Sequence, residues 1–263
     1  MRRFTVGGWV AMLASGLLAS GCVVVRHVDD ASQSFGEPVT AVAADLGSGD
    51  LSVTVGAVDQ VTVAIHREWS GDEPFVATYV EGGTLHLEVQ CRPGQLTCRV
   101  DYDVVLPAAA TIDAELGSGD VTIDGLSGRV AVETGSGDVT LRLVDGDVIA
   151  STGSGDLEVD GVTGSLDAET GSGDLVVTGA DVSTVIASAG SGDIELHVDA
   201  VTDAIAVDTG SGDVLVVVPT AEYRLSTDTG SGDVSLDGIT PSGNAEVSID
   251  VSTGSGDIRI VGS

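Results

Sequence analysis

Nine aspartates recur at nearly constant spacing, and carboxylates in a row are the side chains best suited to hold a hard divalent cation. Each closes a Gly-Ser-Gly-Asp tetrapeptide that Val, Leu or Ile follows: Asp50, Asp120, Asp138, Asp156, Asp174, Asp193, Asp213, Asp233 and Asp257. Like charges about 5 Å apart repel by about 1 kcal/mol in water, and by more when half buried. Solvent, turn amides or calcium must relieve that repulsion. The first reading of the row is a structural turn, in which glycine supplies unusual backbone angles and Asp or Ser side chains bond nearby amides. The second makes Asp120, Asp138, Asp156, Asp174, Asp193, Asp213 and Asp233 calcium ligands. Calcium-binding rolls repeat Gly-Gly-x-Gly-x-Asp in nine-residue half-coils, and this chain lacks that pattern. No other cofactor is implied.

Catalytic constellations are absent from the residue inventory. From Gly117 onward the chain holds a single histidine, His197, so a serine–histidine–aspartate triad has little to draw on. His66 and His86 fall on neighbouring strand-like runs, where alternation can place them on one face; two histidines alone are a weak metal signal. There is no lysine, and Arg129, Arg142, Arg224 and Arg259 are scattered. Acids are so abundant that no carboxylate pair stands out for glycoside hydrolysis. A threonine row (Thr134, Thr152, Thr170, Thr209, Thr229, Thr253), interrupted by Ala189, reads as turn-edge hydrogen bonding rather than a recognition surface. Recognition-type side chains gather earlier. Arg67, Trp69, Tyr79, Arg99 and Tyr102 form either a small core or a ligand-contact surface.

The elements that position these residues follow from the repeat. The tetrapeptide glycines from Gly117 step by 18, 18, 18, 19, 20, 20 and 24 residues to Gly254, the mark of a solenoid. After each aspartate apolar residues alternate, as in Val121/Ile123, Val139/Leu141 and Leu157/Val159. A second alternating run precedes the next glycine: Val130/Val132, Val148/Ala150, Leu166/Ala168, Ile186, Ile205/Val207. Period two buries one face of a strand. The fold class is therefore all-β: a β-solenoid with two short strands per ~18–20-residue coil, and an N-terminal β-strand cap. Residues 37–116 hold that cap and the first repeat at Gly47, and residues 117–263 the regular coils, about 35–40 Å of stacked chain. The coil ending in Ile258-Arg259-Ile260 is expected to present an open C-terminal edge strand, through which copies could self-associate.

Residues 1–21 read as a signal peptide, with Met1-Arg2-Arg3 before an apolar stretch. Leu18-Ala19-Ser20-Gly21-Cys22 resembles the bacterial lipobox, which implies lipid on Cys22 and a tether over residues 22–36. An ordinary cleaved signal with an incidental cysteine is the alternative. With Cys22 lipidated, Cys91 and Cys98 remain as a pair, and a disulfide between them would contribute roughly 2–3 kcal/mol. The chain carries 41 acids against 10 arginines, and loss of residues 1–21 removes two of those arginines and no acid. That balance excludes nucleic acid as a partner and favours solubility, divalent cations or a cationic partner.

The lipobox, the strands ending in Val104-Val105-Leu106-Pro107 and the Thr-Gly-Ser-Gly-Asp-Val strings together resemble the putative-adhesin family of bacterial surface β-solenoids, over roughly residues 40–260. The resemblance implies an exported, envelope-anchored module for adhesion or display, non-catalytic, with the membrane and a cell-wall or host glycan or protein as partners. It brings no catalytic residues. A polysaccharide-degrading β-helix enzyme, or an envelope-stress or structural component, is the alternative.

Overall fold

Alternating apolar residues on both sides of each tetrapeptide fold into two parallel ladders that face each other across a thin core. The computed structural model describes residues 25–58 and 60–263, in strands, turns and loops. The signal-peptide segment and Cys22 lie outside the described residues.

Strands that follow the tetrapeptide make the first ladder. Leu51–Val55 pairs with Val121–Asp124, then come Val139–Asp145, the starts of Leu157–Thr170 and Leu175–Ala189, Ile194–Val198 and Val214–Val218. Strands that precede it make the second: Ala41–Ser48, Thr111–Ser118, Val130–Thr134, Val148–Thr152, the ends of Leu157–Thr170 and Leu175–Ala189, and Ala204–Thr209. Register is strict. Val139 lies between Val121 and Leu157, and Ala150 between Val132 and Ala168. The inward columns are almost wholly buried and built from Val, Ile, Leu and Ala, so the core is one uninterrupted apolar cluster. Ile186 departs from the expected inward set. Val185 and Ala187 fill the core columns there, and Ile186 points outward.

The corner explains the tetrapeptide. A Cβ on Gly135 would meet the carbonyl oxygen of Gly117 at 2.5 Å, and one on Gly137 would meet that of Gly119 at 1.9 Å. The same approach recurs up the stack, so both glycines are required for successive levels to sit about 4.8 Å apart. The threonines that precede most corners, all but Thr229 buried, tie neighbouring levels together. Thr134 Oγ1 donates to the carbonyl of Gly119, Thr152 to Gly137 and Thr253 to Gly212.

At both ends the chain order and the spatial order diverge. Near the N-terminus, residues 41–55 are sandwiched between residues 84–106 and 111–124, because Thr84–Gln90 pairs with Ala41–Ser48 and Cys98–Leu106 with Leu51–Val55. The first repeat is thus an internal level of the stack. Antiparallel strands extend this end: Val61–Ser70 beside Cys98–Leu106, Phe75–Glu81 beside Thr84–Gln90, and Arg26–Phe35 beside Val61–Ser70. The stretch expected to be a tether over 22–36 is therefore mostly a strand, Arg26–Phe35, held by a ten-residue register with Val61–Ser70.

The C-terminus corrects a second expectation. Ser248–Thr253 and Ile258–Gly262 are inserted between residues 204–218 and residues 222–237, with partners on both sides. The last strand of the chain is interior, so it cannot be the edge through which copies associate. Glu222–Thr229 and Val234–Asp237 form the true end of the stack. The segment 238–247 makes this inversion by passing over the outer level and returning beneath it.

Candidate functional site

The aspartates line up along one side of the molecule and are joined through the backbone. Asp120 Oδ1 accepts the amide of Asp138 at 2.9 Å, Asp138 that of Asp156, Asp156 that of Asp174, and Asp174 that of Asp193. Asp193 serves Asp213, Asp213 serves Asp257, and Asp257 serves Asp233, each at 2.8 Å. Charge-assisted bonds of this kind are stronger than neutral ones and draw charge off each carboxylate. At the start of the row Asp50 accepts the amide of Asp120, and Asp101 accepts that of Asp50. Asp101 lacks the tetrapeptide, so only the pairing of Tyr102 with Leu51 reveals it as a member. One oxygen of each bonded carboxylate is thus committed to a neighbouring level. Among the described residues no group of three or more His, Cys, Asp or Glu is arranged to hold a metal ion.

The five residues singled out as ligand contacts separate into three environments. Arg99 sits outside the row's first members, bonded to Asp50 and Asp101, and neutralises that end. Its neighbouring carboxylates hold the guanidinium above its ordinary value against the opposing effect of partial burial. Arg67 and Trp69 follow Val61, Val63 and Ile65 in parity and turn inward at the end of the stack. There Arg67 pairs with Asp29 and Glu73, its guanidinium carbon 5.7 Å from the Trp69 ring centre, and His27 stacks on Trp69. Tyr79 lies on an outer face, stacked on His86 at 4.8 Å with its hydroxyl donating to Glu88, a bond that pushes the phenol up. Tyr102 is a core residue, 1% exposed, so it is removed from any contact surface. Burial raises its phenol, against the opposing effects of the Thr78 hydroxyl and the Arg67 charge.

The histidines are likewise apart. His66 bonds Asp30 on the edge strand, whereas His86 belongs to the second ladder. Cys91 and Cys98 are joined by a disulfide, with Cα atoms 6.0 Å apart, at the loop beside the first corner. On the outer faces, shallow grooves run between rows of side chains. One crosses Ile149, Asp167 and Ile186, another Glu195, Leu215 and Arg259. Both exposed isoleucines sit at outward parity in strands whose core positions are valine and alanine.

A row of carboxylates bonded through one oxygen to backbone amides, a closed apolar core and shallow outer grooves define an all-β, solenoid-like repeat protein. Among curated proteins nothing matches the chain. The family model described as Toastrack DUF4097 matches residues 39–261. The chain belongs to that family. A crystal structure of a protein described as a putative adhesin from Parabacteroides distasonis is similar at 15% identity, covering 88% of this chain and 97% of that one, with a TM-score of 0.55. Another from the same organism, described as a putative lipid binding protein, gives 13% identity, 88% and 96% coverage and a TM-score of 0.50. A putative adhesin from Bacteroides fragilis gives 14%, 88% and 97%, with a TM-score of 0.47. At these identities the likeness is one of fold.

Proposed function

We propose that this protein is a lipid-anchored module of the bacterial cell envelope that acts by binding or display and catalyses no reaction. The observation that carries the reading is the position of the first strand. Arg26–Phe35 begins four residues after Cys22, so a lipid on that cysteine would hold the N-terminal end of the stack at the membrane surface. The antiparallel strands then serve as the cap on the membrane side, and the two-strand coils carry the far end outward by about 4.8 Å per level. The acid-rich composition keeps such a projecting body soluble and repels it from anionic headgroups. The adhesin and lipid-binding descriptions of its structural relatives agree with an envelope setting.

Growth of expressing cells with an alkyne fatty acid tests the anchor. Label should reside in the wild-type chain and vanish in Cys22→Ala, which should also leave the membrane fraction. Equal labelling of both, or none in either, overturns lipid anchoring. Screening residues 25–263 against cell-wall and host glycans, for retention and product release together, tests the second half. Saturable retention without product is expected; turnover of any glycan overturns the non-catalytic reading.

A further inference from the structure

The outermost level of the stack is unfinished. Among the described residues, Val234–Asp237 pairs only with Ile258–Gly262, and Glu222–Thr229 has Ser248–Thr253 on one side and, on the other, only the short bridge of Glu222 and Tyr223 to Thr240–Pro241. Val234 and Leu236 are 42% and 45% exposed, while Ile258 and Ile260, one level below in the same columns, are fully buried. Leu225 ends a third column in the same way, half buried. Asp233 closes the carboxylate row. Every other member binds the amide of the next level, and Asp233 has no such amide to accept among the described residues. Backbone edge, apolar columns and corner acceptor all stop at one plane.

We propose that this plane is a docking site for an extended segment of a partner polypeptide that alternates apolar and basic residues and adds one more strand along Val234–Asp237. Strand addition draws affinity from main-chain hydrogen bonds and specificity from alternate side chains. The inward side chains of the added strand would cover Val234 and Leu236. Its outward ones would face Asp233 at the corner and Asp237, with Arg259 one level below in the column of Ser235. Charge decides against a second copy of this chain as occupant. A two-fold pairing sets the same aspartates opposite one another, at about 1 kcal/mol per close pair even in water. Charged edges of this type guard against self-pairing. The inference deepens the binding role proposed above by naming a partner class; lipid attachment and envelope location stand or fall separately.

Residues 25–263 titrated with a labelled eight-residue peptide of alternating lysine and valine test the site. A peptide of identical composition with its lysines and valines in separate blocks controls for net charge. The alternating peptide should bind saturably at one per chain, about tenfold more tightly than the block peptide, and slow amide exchange across residues 234–237. Val234→Ser with Leu236→Ser, a pair already half in solvent and so compatible with folding, should remove that preference. Ile149→Ser with Ile186→Ser, on the outer face of the second ladder, should leave it intact. Equal binding of both peptides, a preference that survives V234S/L236S, or protection outside the outermost level overturns the proposal. A dimer of the unliganded chain that V234S/L236S abolishes does so too, in favour of self-pairing.

Discussion

Single residues in this chain obey the stack more than their own preferences. Leu143 has a φ of +52°, where its neighbours in register, Gly125, Gly161 and Gly179, have positive φ at no steric cost. A non-glycine residue in that region costs on the order of 1–2 kcal/mol, and the Leu143 side chain is 64% exposed and recovers little by burial. Leu143→Gly should therefore raise the midpoint of urea unfolding, by a stability gain of about 0.5–1 kcal/mol once the looser unfolded chain is counted. A lower midpoint would show that the exposed leucine makes a contact worth more than its strain. The aspartate row makes the complementary case. Asp138→Ala leaves the Asp156 amide without its acceptor and should destabilise by about 1–2 kcal/mol. Asp138→Asn keeps a carbonyl acceptor and removes one of a line of like charges. It should match or exceed the wild type at low salt, an advantage that shrinks as salt screens the row. Equal losses in both variants would assign the stabilisation to the charge itself.

At the scale of elements, the edge strand Arg26–Phe35 is the least secured. Its side chains are largely exposed, and among the described residues Val61–Ser70 is its one partner strand, with Ala31 and Phe35 packed against the core. Ion pairs supplement the ladder: Arg26 with Glu68, Asp29 with Arg67, and Asp30 with His66. The hydrogen bond from Asp30 raises the His66 imidazole above its ordinary 6.5. Because the folded value is the higher one, the contribution of this pair is fully present below pH 6.5 and fades as pH rises through the folded value. His66 should titrate above 6.5 by NMR, and Asp30→Asn should return it to that value. Protection of the amides of residues 26–35, taken relative to the intrinsic base-catalysed rate at each pH, should be greater at pH 5.5 than at pH 8 in the wild type, and that difference should shrink in the variant. Protection independent of pH in both would mean that the backbone ladder alone holds the strand.

For the whole molecule, the inverted order at the C-terminus carries the clearest consequence. In a solenoid wound in chain order, the final coil is peripheral and its loss exposes only the next one. Here residues 248–262 lie between two other levels, and Ile249, Val251, Ile258 and Ile260 are fully buried. Removal of residues 248–263 leaves residues 222–237 without the level beneath them, keeping only the short bridge of Glu222 and Tyr223 to Thr240–Pro241. The truncated chain should lose cooperative unfolding of the C-terminal levels and show raised amide exchange from residue 204 onward. A truncated chain that melts like the full one would mean that residues 222–237 had dropped into the vacant level.

How much of this was legible in the residues depends on range. The two glycines and the aspartate of each tetrapeptide corner, and the alternation on either side of it, are local requirements. They recur along the regular stack because each such level must pass its neighbour at the same short distance. All-β class, a stacked repeat and the alignment of Asp120, Asp138 and Asp156 could therefore be read from spacing alone, whereas the pairing of Cys91 with Cys98 followed from the odd cysteine count once Cys22 was set aside for lipid. Asp101 could not, since it joins the row through a neighbour 51 residues away with no motif of its own. For Tyr102 and Arg67 the choice between a small core and a ligand-contact surface stayed open, because aromatic and arginine side chains in a short strand carry no mark of which face they occupy; the register with Leu51 and with Asp29 decides it. The order of levels was beyond the sequence for a related reason. Each level presents nearly the same apolar columns and the same backbone edge, so almost any level can pair with any other. Only the closed structure, in which residues 41–55 and 248–262 each fill a gap between two others, selects one arrangement and leaves residues 222–237 outermost.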